Sequence, residues 1–287
     1  MISLIPKQEM TNFNSFLKRR HKLLDMKSMS IQAFQKYEKQ HGKVTAQKAQ
    51  KNISKILEDC IKIETENFMR IKDEIQGNWP EDLLNNKKSK TSYPTIFKNT
   101  ELSLNVLDQP ISKEKKLNQI MRETSEITEK IVFGLKQSAK TRAGSCLENH
   151  LEKIFEILGF DCDTQETVDK QRLDFILPSL KKLKEDPSTT SLIECQTTLK
   201  DRFRLTSGKR QALLRTKKYL ATATGANVIT LVDDTDITKE KLAELSTHGI
   251  TLITFQKVRA ELENKKLDVK DIISYEQFVK VWLQDQH

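Results

Sequence analysis

The apolar residues of this 287-residue chain change their spacing partway along, and that change restricts the folds open to it. Through the first half they recur at close to the helical period. Residues 11–26 carry such a pattern, and Ser30 is placed to cap a second helix running through Ile31, Phe34 and Tyr37 to near Gly42. From about Val44 to Gln76, the residues Ile53, Ile56, Leu57, Cys60, Ile61, Ile63, Phe68 and Ile71 form one long stripe, with lysines and acids on the other side. Residues 77–97 hold two prolines, a glycine and a polar basic run, and read as a linker or long surface loop. A further helix is expected over 113–137, through Leu117, Ile120, Ile127, Ile131 and Leu135.

The second half alternates instead. Residues 145–158 are amphipathic, with Leu147, Leu151, Ile154, Phe155 and Leu158 on one face and Gly159 as the stop. Short β-like runs follow at 160–165, 173–177 and 191–196, then a basic helix over 210–222. A buried strand is expected at 227–232, a helix at 239–247, a strand at 250–255 and a closing helix at 271–283. Strands interleaved with helices predict a sheet flanked by helices, downstream of an all-helical segment.

Composition narrows the function. Charged residues make up 31% of the chain and hydrophobic ones 37%, a globular balance, and the formal net charge is +9. That excess favours polyanionic partners, because each neutralised phosphate releases condensed counterions. The four cysteines, Cys60, Cys146, Cys162 and Cys195, include no CxxC pair and no paired histidines, which argues against a zinc ribbon or a disulfide framework. Neither a membrane span nor a signal-peptide run is legible, so a cytoplasmic protein is expected. Without a GxxxxGK or GxGxxG loop, no nucleotide cofactor is expected.

Two carboxylates carry the candidate chemistry. Asp174 stands in Arg-Leu-Asp-Phe-Ile-Leu-Pro and Glu194 in Ser-Leu-Ile-Glu-Cys-Gln. Strand alternation turns Glu194 and Gln196 to one face. If the two strands are neighbours, Asp174 and Glu194 converge on a hard divalent ion such as Mg²⁺. Burying an unpaired Glu inside an apolar strand is costly, and a bound cation offsets that cost. Gln196 can orient a water but cannot act as a base. An acid at a strand end is otherwise most often just solvated.

The segment after this strand is polar and charged: Lys200, Asp201, Arg202 and Arg204. Asp201 can accept from cytosine N4, and Arg202 can donate twice to guanine O6 and N7, so the pair can read C·G. Lys200 and Arg204 can hold phosphates. The alternative is a surface ion-pair cluster. Upstream, Lys140 and Arg142 precede Gly144, and a helix starting there would offer its amides to a phosphate. Glu148 on that helix is either a third acid of the site or a solvated helix residue. His150 and His248 have no nucleophile motif beside them, and a structural or surface role is expected. Cys195 points away from Glu194 and is expected in the core.

Four stretches together resemble type II restriction endonucleases of the EcoRII-like group, which share the PD-(D/E)XK core. They are RAGSCLENHLEKIF (142–155), LDFILP (173–178), ECQTT (194–198) and LKDRFR (199–204). The resemblance implies an α/β restriction-endonuclease-like core, a mixed sheet flanked by helices, over 101–287, with an all-α N-terminal domain over 1–100. It implies a metal role for Asp174, with Glu148 as an additional acid. It places Lys200, Asp201 and Arg202 in the major groove of double-stranded DNA, reading a CCGG or CC-GG core, and implies a homodimer on a palindrome. Two departures stand out: Gln196 replaces the usual active-site lysine, and Leu173-Asp174 replaces Pro-Asp. A Glu-x-Gln arrangement does occur in some restriction endonucleases. The rivals are a structure-specific repair or recombination nuclease on the same core, and a non-catalytic DNA-binding protein on a decayed nuclease fold.

Overall fold

The computed structural model describes residues 5–168, 171–196, 216–223 and 237–285. Among these the helices are α1 (Lys7–Arg20), α2 (Met26–His41), α3 (Ala46–Asn85), α4 (Ser89–Ser92), α5 (Pro94–Asn105) and α6 (Lys113–Leu158). After α6 come β1 (Asp163–Val168), β2 (Gln171–Leu177), α7 (Leu180–Glu185), β3 (Ser191–Gln196) and β4 (Lys217–Thr222). The chain ends with α8 (Lys239–Thr247), β5 (Ile250–Thr254), α9 (Gln256–Asn264), β6 (Ile272–Ser274) and α10 (Tyr275–Asp285). Two compact units result, each assembled from two stretches: 1–25 with 66–142, and 26–65 with 143–287. None of the described helices is long and apolar enough to cross a membrane.

The first unit is helical. Phe13, Leu17, Ile75, Trp79, Leu83, Ile96, Ile127 and Ile131 fill its core. Phe13 meets Trp79 edge-on and Tyr93 at a tilt, with ring centroids 6.3 and 5.1 Å apart. The buried Glu9 accepts the Ile96 amide at 2.8 Å, so an acid from α1 satisfies an amide in the first turn of α5.

The 77–97 stretch is not a loop: α3 continues to Asn85, and α4 and α5 follow. Pro80 lies inside α3, where the missing amide and the ring clash cost about 3 kcal/mol. Its neighbours Trp79 and Leu83, 4% and 0% exposed, are anchored in the core, and their burial offsets that cost.

The second unit carries a six-stranded mixed sheet in the order β1-β2-β3-β4-β5-β6. β1–β2 and β2–β3 pair antiparallel; β3 through β6 run parallel. The expected sheet flanked by helices, with a helical region before it, is therefore what forms. Phe155 of α6 packs edge-on against Phe175 of β2, centroids 5.3 Å apart, and also meets Phe160 and Phe278. β3, β4 and β5 read as near-continuous buried runs, the mark of strands covered on both faces.

Several local expectations fail for physical reasons. The basic helix over 210–222 is not present where it is described: Lys217–Thr222 is β4, because Tyr219, Leu220 and Ala221 are taken into the sheet between β3 and β5. Ser30 is not a cap but lies inside α2, with its hydroxyl turned to Glu64. The closing helix begins only at Tyr275, since Ile272–Ser274 adds the edge strand β6. β1 is displaced three residues from the run expected at 160–165. The strand expected at 227–232 lies outside the described residues.

Candidate active site

Sheet register brings the acids together. β1 and β2 pair Thr164 with Phe175 and Glu166 with Leu173, so Gln165 lies opposite Asp174. β2 and β3 pair Phe175 with Ile193, and one step further Asp174 lies opposite Glu194. Opposed residues of antiparallel strands share a face, so Gln165, Asp174 and Glu194 form a row across three strands. Gln196 is two residues on from Glu194 and joins the same face.

The ladder between β2 and β3 stops at this row. Asp174 Oδ2 accepts the Cys195 amide at 2.7 Å, a side-chain bond in place of a main-chain one. That bond fixes the carboxylate with its other oxygen turned to the row, where Gln165 Nε2 stands 3.4 Å from Oδ1. The same Gln165 nitrogen donates to Glu148 Oε2 at 2.6 Å. Glu148 is half-buried and belongs to this cluster rather than to a solvated helix face. Asp174 and Glu194 are 8% and 6% exposed, so both carboxylates are largely withdrawn from water.

Gln165 is the residue sequence reading missed. It has a left-handed backbone, φ 58, which costs a non-glycine residue on the order of 1–2 kcal/mol. Nothing in its local sequence marks it; only the β1–β2 register places it. The strain is stored where the amide bridges two acids.

Gln196 donates from Nε2 to Glu194 Oε1 at 3.1 Å, while its own Oε1 is buried and accepts from no donor among the described residues. An orphaned buried acceptor beside carboxylates lacks a positive partner, and a cation supplies one. Carboxylate and amide oxygens are the ligand type that suits Mg²⁺. The residues therefore fit a hard divalent ion, with Asp174, Glu194 and Gln196 able to hold it and Glu148 held close by through Gln165. Cys195 is no part of such a set. Burial first, then the charges of Asp174, Glu148 and Glu194, push its thiol well above its ordinary value and keep it protonated. It stays a core residue, as alternation predicts.

The seat for a phosphate at 140–144 does not form. α6 runs unbroken from Lys113 to Leu158, so the amides there are spent on the helix's own carbonyls. Gly144 meets nothing within 4 Å of where a Cβ would be, and the stretch SAKTRAGS stays helical without needing it as a break. Arg142 is 6% exposed, its guanidinium 4.5 Å over the Phe68 ring, a packed cation–π contact. Lys140 lies within α6, and its side chain is outside what is described. Lys200, Asp201, Arg202 and Arg204 lie outside the described residues.

His150 is structural in a way sequence did not show. It is 1% exposed and faces Glu64, its Nε2 3.1 Å from the carboxylate.

The fold has clear relatives among solved structures. Metal-depleted Ecl18kI in complex with uncleaved DNA is similar with a TM-score of 0.72 at 15% identity, covering 96% of this chain and 84% of that one. The same protein with uncleaved, modified DNA gives the same values. A restriction endonuclease PspGI–substrate DNA complex is similar with a TM-score of 0.61 at 14% identity, over 94% of this chain and 96% of that one. At such identities the likeness is one of fold. No curated protein matches the chain. The family model described as EcoRII C terminal matches residues 112–279, a span that takes in α6, the row of acids and all six strands. With more than half its length matched, this chain belongs to the EcoRII C-terminal family.

Proposed function

We propose that the chain is a sequence-specific, Mg²⁺-dependent endonuclease of double-stranded DNA, a type II restriction enzyme working as a homodimer on a palindrome with a CCGG or CC-GG core. The observation that carries this reading is the row formed by Asp174 and Glu194, with Gln196 beside Glu194 and Glu148 joined through Gln165, in a chain of the EcoRII C-terminal family. Restriction enzymes of like fold stand in complexes with DNA, which supports DNA as the partner.

In this reading Asp174 and Glu194 hold the ion. A Mg²⁺ held by these residues would supply a water of lowered pKa and would offset charge building on the phosphoryl group. Asp174 arrives preorganised, because the Cys195 amide fixes one of its oxygens. Gln165 donates to both Glu148 and Asp174 and so offsets the repulsion between the two acids. Gln196 orients water through its amide and does not take the proton. Asp201 and Arg202 read a C·G pair, with Lys200 and Arg204 on phosphates. Arg202→Ala then costs about 1–3 kcal/mol and relaxes discrimination at one base pair. A uniform loss across all sequences makes Arg202 a phosphate contact instead.

The deciding experiment is digestion of phage-sized DNA by the purified chain in Mg²⁺, with an EDTA control, followed by sequencing of the fragment ends. Discrete metal-dependent fragments sharing one motif and carrying 5′-phosphates support the reading. Gln196, where the resemblance has lysine, favours one rival: a DNA-binding protein that no longer cuts. Specific binding without cleavage in Mg²⁺ or Mn²⁺ supports that rival, and Gln196→Lys then tests whether a lysine restores cutting.

A further inference from the structure

Within the second unit, α6 and α3 enclose a second cluster of ligating side chains, separate from the row of acids. Cys146 and His150 stand four apart on α6 and so share one face, and Glu64 of α3 meets them. One sulfur, one nitrogen and one oxygen of the three residues all lie within 4.8 Å of one another. The three are 3%, 1% and 0% exposed.

The contact between His150 and Glu64 is the telling one. Nε2 of His150 lies 3.1 Å from Glu64 Oε2, yet makes no hydrogen bond to it or to any other of the described residues. A buried imidazole N–H beside a carboxylate should settle into a linear hydrogen bond, because an unaligned one forfeits most of its energy at full desolvation cost. Two ligand atoms this close, with no hydrogen bond between them, match two corners of one coordination sphere. Zinc takes N and O at about 2.0–2.2 Å and thiolate S at about 2.3 Å, which puts neighbouring ligands roughly 3–4 Å apart.

We infer that Glu64, Cys146 and His150 form a buried site for a zinc-like divalent transition ion, distinct from the hard-oxygen row. The donor set fits in kind: one thiolate, one neutral imidazole and one carboxylate suit a borderline-soft ion and not Mg²⁺. It also fits in charge, since thiolate and carboxylate together match the two positive charges of the ion and leave the buried site neutral. Binding releases the Cys146 thiol proton to solvent. The carboxylate is oriented from behind: Ser30 Oγ donates to Glu64 Oε2 at 2.7 Å and accepts from Asn149 Nδ2 at 3.2 Å. A cavity of about 420 Å³, lined in part by Ser30, Phe34, Asn149 and His150, lies beside this cluster. Bound there, it ties α3 to α6 inside the second unit.

Cobalt titration of the metal-stripped full chain, in excess Mg²⁺, tests this. The expected result is one Co²⁺ per chain with a thiolate-to-cobalt charge-transfer band in the near ultraviolet, displaced by added Zn²⁺. Cys146→Ala loses the band, and Cys60→Ala and Cys162→Ala keep it. No band in the wild-type chain, or a band that survives Cys146→Ala, overturns the assignment. X-ray absorption of the zinc-loaded wild-type chain reads the same site without any substitution. One sulfur at about 2.3 Å supports it; a sphere with no sulfur, or with two, overturns it.

Discussion

Cys146, Glu148 and His150 alternate along one helix and supply two clusters of opposite character. Residues two apart on a helix are turned by about 200°, whereas residues four apart return to the same face. Glu148 therefore leaves α6 toward Gln165 and the row of acids, and Cys146 and His150 leave it toward Glu64. The first cluster is all oxygen and amide, with Glu148, Gln165 and Gln196 half-exposed. The second mixes sulfur, nitrogen and oxygen and is buried. Hard ligands with open positions suit an ion that must admit a phosphate oxygen and water; mixed ligands closed off from solvent suit an ion that holds structure. The same helix can serve both because its period separates them.

The largest effect separates the clusters outright. Asp174→Ala removes both the carboxylate facing the row and the acceptor of the Cys195 amide. Cleavage should fall to background while specific DNA binding in Ca²⁺ persists and cobalt uptake at Cys146 is unchanged. Undiminished cleavage by this variant would remove Asp174 from the site. Next in size is Gln165→Ala. Gln165 touches two acids and acts by positioning them, and loss of such a supporting contact costs about 10–100-fold in metal affinity or activity. The loss should be partly recovered by raising Mg²⁺, which a merely unstable fold would not show. A rate unaffected by Mg²⁺ concentration would make Gln165 structural only.

Much of the first cluster was legible in sequence, and almost none of the second. Asp174 and Glu194 show because an acid interrupting an apolar strand is conspicuous, and the alternation that links Glu194 to Gln196 is a local property. Gln165 does not show, because its place depends on which strand pairs with β2 and in what register. Glu64 lies in a helix whose stripe reads as ordinary core, and its meeting with Cys146 and His150 spans more than eighty residues of chain. The errors of secondary structure have the same origin. Pro80, the KTRAG stretch and the KKYLAT strand all carry local signals that packing overrules: a core anchored at Trp79 and Leu83, an uninterrupted α6, and a sheet that takes in Tyr219 to Ala221. Local rules found the acids that strands display and missed what tertiary contacts assemble.

A smaller effect reaches only the second cluster. α3 breaks at Asn52, where φ −135 and ψ 27 leave the helical range, and restarts with Ser54 held by Glu276. The Ser54 amide donates to Glu276 Oε1 at 2.8 Å, and its hydroxyl to Oε2 at 2.7 Å. This cap holds the start of the segment that carries Glu64. Glu276→Ala should cost about 1 kcal/mol in urea unfolding, the usual worth of a helix cap, and weaken cobalt uptake, with cleavage retained. A loss of cleavage in step with cobalt uptake would mean that the two clusters are coupled through α6.

The smallest effect concerns the two cysteines, one beside each cluster. Cys146 is required to ionise; Cys195 is prevented from doing so, by burial first and then by three neighbouring carboxylates. Its folded-state pKa lies above its ordinary value of 9.0, so the stabilisation from the neutral thiol is complete below that pH and is lost as pH rises beyond it. Cys195→Ala should leave cleavage and the cobalt band as they are at neutral pH, and should flatten the decline in stability above pH 9.0. The Asp174 carboxylate is bound by the main-chain amide of residue 195, which the substitution keeps, so its position should hold. If the cobalt band instead disappeared with Cys195, the soft ion would belong among the oxygen ligands, and hardness would not be what sorts the two faces of α6.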